Sequence, residues 1–176
     1  MKLLKLEVTG LPLFKEKCEI DFLSLQRVSA DNADKMSKVF VNSTNEFYQN
    51  NVLSFIGINA SGKTTILKLI TFVCRMLNNE PINSIEASEI LDDLAENQYI
   101  AFKTYFSARN KETFPFTDGI AINLLETTIA KTKEKLIISN ETLKSKSTTG
   151  INSKKNVFDF DGVEINSSRQ FNEFLL

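Results

Sequence analysis

The chain has 176 residues, 42% of them hydrophobic and 24% charged, with a formal net charge of −1. That suits one domain with a real core and supplies no global basic field for nucleic acid or acidic lipid. Histidine is absent, which excludes imidazole catalysis or ligation within the chain, and the two distant cysteines, Cys18 and Cys74, predict reduced thiols in the cytoplasm and no disulfide framework.

The start, Met1 to Lys5, lacks the long apolar core of a signal peptide. In residues 2–9, Leu4, Leu6 and Val8 alternate with polar neighbours, as in a half-buried strand. Gly10-Leu11-Pro12 breaks the run, and Cys18, Ile20 and Phe22 resume the alternation, so the two runs predict an antiparallel pair. Residues 29–51 are polar and asparagine-rich around a short apolar island, Val39-Phe40-Val41, and read as a polar insertion that repays little ordering entropy. On that reading the stretch 31–48 is mobile and dispensable for folding.

Next comes an apolar run, Val52-Leu53-Ser54-Phe55-Ile56, expected as a strand. It feeds Gly57-Ile58-Asn59-Ala60-Ser61-Gly62-Lys63-Thr64, which fits G-x-x-x-x-G-K-[ST], and a helix predicted from Thr65 through Val73. Each fixed position has a chemical reason. Gly57 and Gly62 permit backbone angles that let successive N–H groups turn inward around a phosphate. The helix start adds unpaired N–H groups and the positive end of its dipole. Lys63 would reach the β- and γ-phosphates, the backbone from Ile58 to Thr65 would hold the β-phosphate, and the Thr64 hydroxyl would ligate Mg²⁺. Gly57, Ile58, Asn59, Ala60, Ser61, Gly62, Lys63, Thr64 and Thr65 are therefore the candidate ATP site, with Thr64 as the metal ligand.

Asn78-Asn79-Glu80-Pro81 stops the helix, which is interrupted by Lys68 and far too short to cross a bilayer. Residues 84–96 read as a short acidic helix with Ile85, Ile90, Leu91 and Leu94 on its buried side. Three β-like runs follow, Tyr99 to Phe106, Gly119 to Ala130 and Glu134 to Leu143, spaced for an antiparallel meander, so 99–165 is expected to be mainly antiparallel β. In the first of these, Ile100 and Phe102 alternate and Tyr105 follows after one slip. Residues 144–156 read as an exposed loop, Val157 to Val163 as a last strand and turn, and 167–176 as the beginning of a helix.

A nucleotide kinase does not fit, because some fifty residues and several β-like runs precede the loop and only Arg27, Arg75, Arg109 and Arg169 are present. No N-K-x-D sequence marks a GTPase. The order of Leu3 to Val8, Phe14, Glu19 to Phe22 and Phe55 to Leu67, with Asn59 and Ser61 inside the loop, resembles the ABC-type ATPase heads of the RecF, SMC and OLD group, including AAA-labelled ATPases of phage defence and abortive infection. The match covers residues 1–75 and is loose beyond. It implies an α/β P-loop NTPase lobe with an antiparallel β subdomain, incomplete at its C-terminus, spanning 1–176. It also implies ATP and Mg²⁺ as ligands, a role in DNA repair or phage defence, and completion by a remaining C-terminal ATPase lobe or partner subunit. A homodimer through an ATP sandwich and contact with DNA or RNA belong to the same expectation, and a membrane does not. Ala60 stands where that group often has glycine.

The acids of a Walker B strand and the signature motif are not recognisable. The nearest candidates are Glu141 after Leu136-Ile137-Ile138, the pair Asp92-Asp93, and Asp159 with Asp161, and an ordinary structural role is the reading for each. ATP hydrolysis therefore stays open, and the rival reading is a non-hydrolytic nucleotide-binding or regulatory interaction module. Lys131, Lys133, Lys135, Lys144, Lys146, Lys154 and Lys155 make 131–155 locally basic, a solvated surface without aromatics for base stacking. Phe14 is expected in the core, with stacking on adenine as the alternative.

Overall fold

The computed structural model describes residues 1–14, 16–24, 28–42, 45–58, 62–96, 98–109, 119–133 and 135–169. In chain order the elements are β1 (Lys2–Thr9), β2 (Cys18–Asp21), helix α1 (Ala30–Ala33), β3 (Ser37–Asn42), β4 (Asn45–Gln49) and helix α2 (Lys63–Leu77). Two 3-10 turns follow, Ile82–Ser84 and Glu86–Leu91, then β5 (Tyr99–Arg109), β6 (Ile120–Lys131), β7 (Leu136–Ser147), helix α3 (Lys154–Phe158) and β8 (Ile165–Arg169). Six strands form one sheet in the order β2-β1-β5-β6-β7-β8, every neighbouring pair antiparallel, and β3 and β4 form a separate hairpin.

This overturns the α/β class expected from the loop. Of the described residues, 43% lie in strands and 22% in helices, and the fold is a small, mainly antiparallel β domain. A parallel sheet needs crossover segments that carry each strand back to the same end. Here β6, ending at Lys131, and β7, starting at Leu136, pair antiparallel with only four residues between them, and α2 is the one long helix among the described residues. The apolar run ahead of the loop forms no strand. Val52, Ile56 and Ile58 are 80%, 96% and 84% exposed, and no described strand pairs with them. An apolar run becomes a central strand only where neighbours cover both its edges and both its faces, and β1 is already flanked by β2 and β5.

The sheet is covered on both sides. Beneath α2, Leu69, Phe72 and Val73 pack on Leu6, Val8, Ile100, Phe102 and Ile129, with Ile82, Ile85 and Leu91 from the 3-10 turns closing the end. On the opposite face Tyr105, Ile122 and Leu124 meet Val39 and Phe40 of the hairpin and Val157 and Phe160 around α3. Tyr105 is three residues from Phe102, so strand alternation sends the two side chains to opposite faces. In β1 the same change of side is made by a bulge: Leu3 pairs with Phe106 and Lys5 with the adjacent Tyr105, leaving Leu4 as the extra residue, which joins the second core. A fifteen-residue helix is marginal by itself in water. Burial of each large apolar side chain is worth roughly 1.5–3 kcal/mol, so the inner face of α2 holds it in place.

Several local expectations change. The stretch 29–51 contains α1 and an ordered hairpin, in which Val39, Phe40 and Tyr48 are buried and Phe40 stacks on Phe47 at 4.4 Å between ring centres. Residues 84–96 hold 3-10 turns in place of a helix, 144–147 extend β7, and 154–158 form α3 where a loop and then a strand were expected. β8 occupies 165–169, and the helix expected from 167 onward otherwise lies outside the described residues.

Candidate functional site

The loop candidate is seated between a turn and a helix. Pro12 occupies the second position of the turn closed by Phe14 N–H donating to the Leu11 carbonyl at 3.0 Å. This turn places Leu13 and Phe14 against Gly62, whose φ of 83° and ψ of 11° lie in the left-handed region. Gly62 is the N-cap of α2, and the first bond of the helix runs from Ile66 N–H to the Gly62 carbonyl at 2.9 Å. The N–H groups of Lys63, Thr64 and Thr65 precede that bond, so the helix ladder supplies them no acceptor.

Lys63 is the first residue of α2, and its ammonium donates to the carbonyls of Gly57 at 2.8 Å and Ile58 at 2.7 Å. The side chain thus folds back and ties the start of the loop to its end. Thr64 is exposed and Thr65 half-buried in the first turn. Asn59, Ala60 and Ser61 lie outside the described residues. The structure therefore brings Gly57, Ile58, Gly62, Lys63, Thr64 and Thr65 together. Phe14 is partly buried and packs on the first core.

The carboxylates considered for hydrolysis are placed elsewhere. Glu141 is buried in mid-β7 and accepts from the Thr127 hydroxyl at 3.5 Å. It stands three strands from β1, a span of roughly 14 Å at ordinary strand spacing. Asp92 caps the second 3-10 turn, and its carbonyl takes the Lys131 ammonium. Asp159 ends α3 and accepts the Asp161 N–H at 3.1 Å, a local turn beside the second core.

The lysines of 131–155 do not form one patch. Lys131, Lys133 and Lys135 sit at the β6–β7 turn, whereas Lys144 and Lys146 lie toward the other end of β7 and Lys154 and Lys155 on α3. Lys154 pairs with Asp21 at 2.7 Å, and Lys144 approaches Glu126 at 3.9 Å. Lys146 donates to the Asn156 and Asp159 carbonyls above the Phe160 ring, and burial pulls its pKa down despite the nearby Asp159.

Sequence reasoning missed the bracing of Gly62 by Leu13; the Gly10-Leu11-Pro12 turn was visible, but not what it would touch. Among the described residues no group of three or more acidic or cysteine side chains forms a metal cage, and no helix is long and apolar enough to cross a membrane. Both cysteines are free thiols. Comparison with protein-family models, curated proteins and solved structures finds no match to this chain.

Proposed function

We propose that the loop from Gly57 to Thr65 binds ATP with Mg²⁺ in a cytoplasmic setting. The observation that carries this reading is the left-handed Gly62 immediately ahead of α2, with Lys63 and Thr64 as the first helical residues of a G-x-x-x-x-G-K-T sequence. The donor set suits a triphosphate. Unpaired N–H groups and the helix dipole favour an anion, the Lys63 ammonium adds a charge-assisted bond, and the exposed Thr64 hydroxyl is a hard oxygen for a cation that arrives with phosphate oxygens. Binding requires Lys63 to exchange the Gly57 and Ile58 carbonyls for phosphate.

The positions of the carboxylates favour binding without turnover by this chain alone. The Glu141 and Asp159 carboxylates are engaged within the fold, on β7 and at the end of α3. Holding the ground state from one side does not selectively lower the barrier to phosphoryl transfer. The exposed residues Val52, Leu53, Ile56 and Ile58 adjoin the loop and are the surface on which we place the remaining ATPase lobe or partner subunit, in the DNA-repair or phage-defence setting that the resemblance implies. The reading is tested by titrating ATP with Mg²⁺ and with a chelator while following phosphate release. It predicts metal-strengthened binding and no turnover approaching one per second. Absence of binding would overturn it, and rapid release lost in Lys63→Ala would overturn its non-hydrolytic part.

A further inference from the structure

Away from the loop, a groove of about 340 Å³ runs between β3 and the adjoining ends of β1, β5 and β6. Val39, Phe40 and Ile120 give it an apolar wall, Val41 continues that wall outward, and Lys2, Lys38 and Arg109 supply its charge; among the described lining residues there is no carboxylate. Strand β3 pairs only with β4 among the described strands. Its outer edge therefore keeps backbone groups without a ladder partner, a template for another strand.

Lysines on an edge often serve only to repel such pairing. Here both are tied down within the chain. Lys38 pairs with Glu46 at 2.7 Å, and Lys2 donates to the Lys38 carbonyl. Arg109 is exposed at the end of β5 and has no ion-pair partner among the described residues. Its planar fork suits a carboxylate held by two bonds.

We propose that this groove docks an extended acidic segment of a partner protein. The segment adds along the outer edge of β3, displacing Lys2 from the Lys38 carbonyl, sets a carboxylate on the Arg109 guanidinium and rests apolar side chains on Val41 and Ile120. Main-chain bonds supply affinity in this mode and the side-chain contacts supply selectivity. With Lys38 already paired to Glu46, Lys2 and Arg109 favour an acidic over a basic segment, because like charges brought together oppose association.

The test is a bead-displayed library of random octapeptides screened against the full chain, with the recovered peptides resynthesised and their affinities measured by fluorescence anisotropy. We expect enrichment of Asp and Glu among apolar residues. Arg109→Glu should weaken the selected peptides at least tenfold and Arg109→Gln by less, whereas Lys103→Glu, six residues back along β5 and outside the groove, should leave affinity unchanged. Hydrogen exchange should show peptide-dependent protection of β3 amides. The proposal is overturned by a screen that recovers no binders or no acidic preference, or by affinities indifferent to Arg109→Glu. Binding without protection of β3 also overturns it, since that result describes a carboxylate site and no added strand.

Discussion

Leu13 stands where a side chain on Gly62 would begin: a methyl group there would lie 2.9 Å from Leu13 Cδ2, with the Phe14 ring next at 3.5 Å. The turn at 11–14 and the first turn of α2 are therefore fitted to each other through an absent Cβ. The φ of 83° at Gly62 adds a second penalty for any other residue.

Gly62→Ala should accordingly destabilise the chain by about 1–2 kcal/mol from the left-handed backbone alone, and should weaken ATP by misaligning the N–H groups of Lys63 to Thr65. Urea unfolding and an ATP titration check the two effects separately. Leu13→Ala in the same background should recover part of the stability, because it clears the contact and leaves only the backbone strain. Equal stability of Gly62→Ala and the wild type would mean that the loop does not hold this conformation.

The hairpin β3–β4 belongs to the core. Phe40 is buried between Phe47 and the second face of the sheet, so Phe40→Ala should cost roughly 3–5 kcal/mol. A urea midpoint within error of the wild type would instead support the dispensable insertion that composition suggests.

What was legible in the sequence follows from where one face of a strand is buried. Leu6 and Val8, Cys18 and Ile20, and Ile100 and Phe102 alternate because α2 covers their face, while neighbours such as Glu19 and Lys103 lie on a part of the opposite face that the second layer leaves exposed. The slip at Tyr105 was visible, but its meaning was not: it marks the transfer of burial to the opposite face under a second layer. The hairpin was hidden because its strands are short and rich in asparagine, and only contact with Leu4, Tyr105 and Ile122 makes Val39 and Phe40 core residues. Val52 to Ile56 misled for a complementary reason, since apolarity describes what a segment can pair with and says nothing of whether the partner is there. At the site, the helix start after Gly62 was readable from spacing, whereas the brace from Leu13 comes from residues some fifty positions away.

Four charges link β1 and β2. Lys17 above all, then Lys5, hold the Glu19 carboxyl below the usual carboxylate range, with contacts of 2.6 and 2.8 Å. A depressed folded-state pKa contributes stability above the unfolded value and loses it as pH falls through the folded one. Acid should thus erode this contribution from about pH 4 downward, and Glu19→Gln should lose less stability than the wild type over that interval. Glu19 is 40% exposed, so at neutral pH the substitution should cost no more than about 1 kcal/mol. Parallel stability curves for the two proteins from pH 6 to the acid limit would show that the network is idle.

Thr104 is fully buried between Leu6 and Leu125, its cross-strand neighbours, and its hydroxyl has no hydrogen-bond partner among the described residues. An unsatisfied buried hydroxyl costs about 1–3 kcal/mol. Thr104→Val keeps the shape and removes the polar atom, so it should leave stability unchanged or raise it. A lowered urea midpoint would mean that the hydroxyl finds an acceptor in solution.

The central claim is that Lys63 and the turn around it hold a triphosphate. Calorimetric titration of ATP–Mg²⁺ into the chain, alongside Lys63→Ala, tests it most directly. The side chain is half-buried at the loop and contributes no core packing, so the variant should unfold at nearly the wild-type urea concentration. The wild type should bind one equivalent, and the variant should bind at least tenfold more weakly, a loss of about 1.4 kcal/mol or more. An identical titration for both proteins, or no heat of binding for the wild type, would contradict the assignment.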